Sequence, residues 1–328
     1  LAASIISLLI LQFIFLINSN SQEKNSKYYS NDNGVLSLMY HRFNENKYPS
    51  TNIRMDIFDQ QMLLISDLNY KYYNPKLFLK EFDKPKEEKK ILITIDDGFK
   101  SFYTEAWPYL KKNKIPFILF ISTEPIGKNG YMNWNEIKEI ENSEFGYIGH
   151  HSHTHEYLID FKYSDFVNDI ETASKIFKEN LGYIPEIFSY PFGEYSKEMK
   201  DFIAKNFKIA FGQHSGVIDV NKDRYELPRF PINEKYGNLK RFKSVIKYMP
   251  LEYKNLKPEE KKISDSNNPP EIIIEFFSEQ ENIKNITCYS NDGGNWSQPD
   301  LNFKDNYLRI NFKEKFLPRR GRINCSLN

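Results

Sequence analysis

Cysteine is nearly absent from this sequence: Cys288 and Cys325 are the only two, and both lie near the C-terminus. No histidine or second cysteine stands at ligand spacing from either, which argues against a zinc–thiolate site and a cysteine nucleophile. An excess of charge of either sign is also missing. With 45 Lys and Arg against 44 Asp and Glu, nothing pulls the chain as a whole toward nucleic acid or an anionic membrane. There is no long internal repeat and no low-complexity tract. Charge is absent altogether from residues 1–17, an apolar block followed by polar residues 18–24. This reads as the core of a secretory signal whose Met and basic start are truncated. The block also reaches the lower length limit of a membrane helix, so an uncleaved anchor is the alternative. No small-x-small cleavage site is clear; Ser19 and Ser21 are weak candidates. Export is therefore expected, to a periplasmic, envelope-associated or secreted location. In that setting the two cysteines should pair, free thiols being the alternative. Closing that loop would contribute roughly 3–4 kcal/mol in the chain-entropy picture.

Aromatics are plentiful instead, at 16% with 26 Phe and 22 Tyr. Most serve packing, and those in a cleft would suit the C–H faces of sugar rings. A chain of 328 residues accommodates one large and one small domain. Residues 35–249 alternate short apolar runs with amphipathic stretches. The runs 35–40, 91–95, 117–121, 145–149, 187–190, 209–211 and 227–230 read as strands. Between them, 57–68, 102–112, 134–140, 164–181, 197–206 and 239–248 read as helices. Asn133 with Glu136 predicts a capping box, and Gly182 a left-handed helix end. Repeated β/α units imply a mostly parallel sheet or barrel, with function at the carboxyl ends of its strands. Beyond this, residues 251–270 are polar and Pro-ended and read as a linker. Residues 271–328 carry short strand-like runs with turns at 291–294 and 318–321, expected to form a small β-sandwich. The resulting division is 1–21 signal or anchor, 22–250 β/α domain, 251–270 linker and 271–328 β domain.

Two predicted strands end in chemistry. Residues 91–95 run into Asp96, Asp97 and Gly98, and residues 145–149 run into His150, His151, Ser152, His153, Thr154 and His155. One carboxylate and two imidazoles four residues apart can hold a divalent metal while leaving positions open for water. The adjacent carboxylate is then free to act as a base. An aspartate pair after a strand also occurs in phosphate-transfer and receiver domains, and a spaced histidine pair is often a surface feature. It is the two together, each after a strand, that point to a metal-assisted hydrolase.

At these residues the chain resembles the NodB-type polysaccharide deacetylases, carbohydrate esterase family 4. Thr94-Ile95-Asp96-Asp97-Gly98 is similar to that family's Thr-Phe-Asp-Asp-Gly signature, and His151-Ser152-x-x-His155 to its His-Ser/Thr-x-x-His motif. Phe188-Ser189-Tyr190-Pro191-Phe192-Gly193 resembles the third motif, Arg-x-Pro-Tyr/Phe. Leu38-Met39-Tyr40-His41 and Leu227-Pro228-Arg229 resemble the subgroup of exported poly-β-1,6-N-acetylglucosamine deacetylases. The resemblance spans roughly residues 35–235 and implies an α/β fold, a distorted (β/α) barrel, ahead of the small all-β domain. It further implies that Asp97, His151 and His155 bind a divalent metal, zinc being the expected ion, and that Asp96 is the base. By the same resemblance the Phe192 N–H would face the oxyanion and His41 would protonate the leaving amine. His153 and His150 are expected outside the ligand set, and His214 is an alternative late histidine. The motif arginine is replaced by Ser189, and Arg229 is the candidate to orient Asp96 in its stead, the alternative being an exposed arginine after a strand. The family's fourth motif is not identifiable, Asp219 being an unconvincing remnant.

The function expected is removal of N-acetyl groups from an N-acetylglucosamine-containing polysaccharide, with no nucleic-acid or protein partner. An O-acetyl esterase using the same site, or an inactive glycan-binding protein, are the alternatives. Tyr289 and Trp296 in the C-terminal region could stack on sugar or lie in its core.

Overall fold

The computed structural model describes residues 34–84, 88–277 and 281–327; the signal or anchor expected at 1–21 lies outside them. The apolar runs form parallel strands buried on both faces, as expected of a sheet covered by crossover helices. They are β1 (Val35–Tyr40), β5 (Lys90–Ile95), β6 (Phe117–Ile121), β7 (Gly146–His150), β8 (Ile187–Ser189), β9 (Ile209–Phe211) and β10 (Phe230–Pro231), joined by the short, partly exposed β4 (Lys71–Tyr72). Their order is β10-β1-β5-β6-β7-β8-β9, with β4 on the edge of β5. All of these pairings are parallel. A short parallel ladder of β2 (Arg42–Phe43) and β3 (Asn52–Ile53) lies apart from this sheet.

The two ends of the sheet meet through one segment. Leu227 N–H donates to Ala210 O and Gly212 N–H to Leu227 O, both at 2.9 Å, on the β9 side. Three residues on, Phe230 pairs with Leu38 of β1. The sheet thus curls into a distorted β/α barrel whose seam is residues 227–231. Its interior is filled by Leu92, Ile118, Phe120, Ile187, Ile209 and Phe211, whereas the alternate residues Leu36, Leu38, Ile91, Ile93, Phe117 and Leu119 pack outward against the helices.

The helices follow the apolar periodicity. The capping box at Asn133 and Glu136 opens Trp134–Glu141, and Gly182, at φ 85°, ends Tyr163–Leu181. The stretch expected as one helix over 102–112 divides into a π-turn, Phe102–Ala106, and an α-helix, Trp107–Lys112. Pro108 lacks the N–H that a continuous helix would aim at residue 104, which accounts for the break in the ladder.

The C-terminal region is antiparallel. A sheet of order β11-β12-β15-β14 is built from β11 (Asn255–Lys257), β12 (Ile272–Glu275), β14 (Asp300–Lys304) and β15 (Tyr307–Asn311), and β13 (Ile286–Ser290) pairs with β16 (Ile323–Leu327). The segment read as a linker thus contains β11, and β14, too polar to read as a strand, completes the sheet. Ile274, Phe276, Ile286, Leu308 and Ile310 form the core here. Cys288 and Cys325 face one another across β13 and β16 and are disulfide-bonded. Tyr289 and Trp296 are both about half exposed. Among the described residues, no helix is long and apolar enough to cross a membrane.

Candidate metal centre

The carboxyl ends of β5 and β7 bring the two sequence motifs together. Directly after β5, Asp97 and Gly98 both adopt left-handed backbone, at φ 77° and 74°. A side chain on Gly98 would meet Ile121 Cδ1 at 2.9 Å, so glycine is needed there for space as well as for φ. This sharp turn leaves Asp96 hydrogen-bonded into the sheet, its N–H donating to Tyr40 O at 2.9 Å. After β7, Ser152 and His155 are also left-handed, at φ 71° and 56°. Three non-glycine residues at positive φ in two loops, Asp97, Ser152 and His155, mark backbone that its surroundings over-determine.

Asp97, His151 and His155 converge so that one ligand atom from each lies within 4.8 Å of the others. His155 Nε2 is 3.0 Å and His151 Nε2 3.4 Å from Asp97 Oδ1. The other nitrogen of His151, Nδ1, is 2.7 Å from the Ser189 carbonyl, to which only an N–H can donate. That bond fixes the tautomer and turns the Nε2 lone pair toward Asp97. Asp97 Oδ1 and His151 Nε2 are buried and have no hydrogen-bond partner. Each such group costs about 1–3 kcal/mol unless something satisfies it, and a cation satisfies both. The donor set and its orphaned atoms fit a divalent metal ion. Burial alone would raise the Asp97 carboxyl, but the facing imidazoles reverse this and hold it well below the usual carboxylate range. For His155, burial acts to lower the pKa and Asp97 overrides it, so the imidazole is raised.

Asp96 is held differently. It is fully buried, and Arg229 grips it with both arms, Nη1 to Oδ1 at 2.6 Å and Nη2 to Oδ2 at 2.8 Å. The remaining guanidinium donors reach Gly212 O, Thr94 Oγ1 and Ser189 Oγ at 3.0, 3.2 and 2.8 Å. Ser189, which stands where the motif arginine was expected, thus accepts a hydrogen bond from the arginine that comes from the barrel seam. Burial pushes the Asp96 carboxyl up, and the charge and hydrogen bonds of Arg229, with His151, bring it below its ordinary value. His41 follows β1 and feels Asp97, Asp96, Arg229 and His151; burial lowers its pKa despite the two carboxylates. Phe192, at φ 58° in the Pro191–Gly193 turn, places its ring 4.9 Å from that of His155.

The structure therefore gathers every candidate residue at one end of the barrel. His150 and His153 lie outside the cluster, as does His214. The His150 ring packs against Phe177, Phe188 and Phe207. His153 Nδ1 pairs with Thr123 Oγ1 at 2.8 Å. Asp169, on the helix Tyr163–Leu181, escaped notice in the sequence. Its carboxylate accepts from His153 N–H at 2.8 Å and from Thr154 N–H and Oγ1 at 3.0 and 2.7 Å, pinning the loop that carries His155. An acidic residue in an amphipathic helix gives no signal that separates it from a solvated one.

Residues 83–210 match the polysaccharide deacetylase family. The chain is 24% identical over 232 residues to the poly-β-1,6-N-acetyl-D-glucosamine N-deacetylase of Staphylococcus aureus, covering 62% of this chain and 80% of that protein. Its fold is similar to that of the Streptococcus pyogenes deacetylase PplD, solved in complex with acetate, with a TM-score of 0.60, 19% identity and coverage of 66% of this chain and all of that one. IcaB from Ammonifex degensii superposes with a TM-score of 0.59 at 23% identity, covering 66% of this chain and 99% of that one. Sequence match and barrel agree, and residues 83–210 belong to a polysaccharide deacetylase domain.

Proposed function

We propose that this enzyme removes N-acetyl groups from an N-acetylglucosamine-containing polysaccharide outside the cytoplasm. The observation that carries the reading is the buried Asp97–His151–His155 cluster set beside an aspartate clamped by Arg229. Two imidazole nitrogens and one carboxylate oxygen suit zinc and leave room for water and substrate oxygen. A divalent ion held there would acidify water and polarise the acetyl carbonyl.

The protein's own groups perform the remaining steps. Asp96, kept ionised by Arg229, takes the proton of the water that attacks the acetamide carbon. The Phe192 N–H, held by its left-handed turn, faces the oxygen on which negative charge develops. His41 delivers a proton to the nitrogen as the C–N bond breaks, because an amine leaves poorly as its anion. The name of the Staphylococcus aureus relative supports a poly-β-1,6-linked substrate. The Cys288–Cys325 disulfide supports an oxidising, extracytoplasmic setting. Acetate release measured over a panel of acetylated glycans, with and without chelator, tests the proposal. Chelator-sensitive release from N-acetylglucosamine polymers is expected; no release from any glycan by metal-loaded protein would overturn it.

A further inference from the structure

We infer that the Arg319–Arg320 turn of the C-terminal sheets is a positioning element of the deacetylase site, acting on Phe192 and, through it, on His155. The inference rests on the hydrolase reading above. It starts from an unbroken column of side chains. The Arg319 guanidinium carbon lies 3.3 Å from the centroid of the Tyr157 ring. The opposite face of Tyr157 stacks on Phe192 at 3.9 Å and 19°. Phe192 in turn meets the His155 ring at 4.9 Å, and His155 Nε2 faces Asp97. Residues from the β region, the rim of the barrel and the metal cluster are thus in serial contact.

Ion pairs lock the column at its outer end. Arg319 pairs with Asp160 at 2.6 Å and with Glu194 at 3.2 Å, and Arg320 pairs with the other oxygen of Glu194 at 3.1 Å. Arg320 also donates to the carbonyl of Phe192 itself. These contacts join residues far apart in the chain, 159 positions for Arg319 and Asp160, so they form only when the two regions are docked. Both ends of the column have strained backbone, Arg319 at φ 93° and His155 at φ 56°, and so does Phe192 within it, at φ 58°. A non-glycine residue persists in that region only where its neighbours hold it.

Two further observations favour positioning over substrate binding by this cluster. Both faces of Tyr157 are covered, so the ring offers no platform to a sugar. Both guanidinium groups are spent on Glu194 and Asp160, so neither presents an unpaired charge to an anionic polymer.

The test uses the full chain and cobalt(II), whose d–d absorption reports ligand geometry. Substituting both residues, Arg319→Ala with Arg320→Ala, should weaken cobalt affinity and lower kcat by about tenfold each, the scale expected when outer partners of metal ligands are removed. KM should stay within about twofold, since the column's one substrate-facing group, the Phe192 N–H, acts on charge that develops only in the transition state. The cobalt spectrum should change, and Arg320→Lys, which keeps a donor to the Phe192 carbonyl, should recover part of the loss. Arg309→Ala, which removes a charge paired with Glu271 on the outer sheet, should match wild type. If the double variant folds poorly, Glu194→Gln keeps both arginines and should shift spectrum and kcat in the same direction. Unchanged cobalt affinity, spectrum and kcat in a folded variant would overturn the inference. Wild-type protein that releases no acetate would sink the hydrolase reading instead, while the cobalt measurements would still decide the positioning role.

Discussion

A carboxylate buried as deeply as Asp96 would ordinarily take up a proton, and the fork of Arg229 prevents it. Lysine at that position keeps the charge but cannot match both oxygens. Arg229→Lys should therefore raise the pKa of Asp96, moving the acid limb of the pH–rate profile to higher pH and lowering kcat by about tenfold. An unmoved profile would remove Asp96 from the role of base. His41 answers a different demand. Expelling an amine needs a proton more than expelling an alcohol does, so His41→Ala should slow amide cleavage on the order of 100-fold and ester cleavage far less. Equal losses on acetamide and acetyl-ester substrates would show that His41 is not the acid. At this scale the sequence was legible where spacing is local. Asp96 and Asp97 are adjacent, and His151 and His155 share one loop. Arg229 could be named only as one of two readings, because its partner lies 133 residues away and the contact depends on how the sheet closes.

The loop between β7 and the helix Tyr163–Leu181 is held from both ends, by Asp169 on the helix and by His150 on the strand. His150 Nδ1 accepts the Ser152 N–H at 3.1 Å, and Nε2 faces Ser174 Oγ at 3.2 Å, which requires the neutral ring. Burial pushes its pKa down to about 3. In the unfolded chain the value is about 6.5, so between these limits the unfolded state binds more protons and stability falls as pH falls. At pH 5 this one residue should cost about 2 kcal/mol relative to pH 8. Urea unfolding of wild type and His150→Gln over pH 4.5–8 checks it: the variant should be less stable throughout and show a flatter dependence. Parallel slopes would mean that His150 is protonated in the fold. The elements legible in the sequence were those with strong apolar runs, such as β1, β5 and β6. The pairs β2 and β3, the edge strand β4 and the polar strand β14 were not, because two to five residues of mixed character carry no period. The roles of Asp169 and of Arg319 and Arg320 were equally silent, since isolated charges on a helix or turn read as solvated surface.

Across the whole molecule, the barrel and the C-terminal sheets stabilise themselves by different means. The barrel buries a large aromatic and aliphatic core, whereas the C-terminal core is small and includes Cys288 itself. A disulfide closing 37 residues should matter most there. Replacing both cysteines by serine should reduce unfolding free energy by roughly 3–4 kcal/mol, measured by urea denaturation. Equal stability of the disulfide and serine forms would show that this core holds without its covalent link. The β/α alternation and the antiparallel C-terminal region were legible from the periodicity of apolar residues, whereas their contact through Arg319 and Arg320 was not. The barrel seam has a last consequence, for how little of this protein can stand alone. The family match ends at residue 210, and both motif carboxylates and both histidines lie within it. The cation that neutralises Asp96 does not. A fragment cut at that boundary would keep every signature residue of a deacetylase and lack the counter-charge its base requires, so the smallest excisable catalytic unit extends past residue 231.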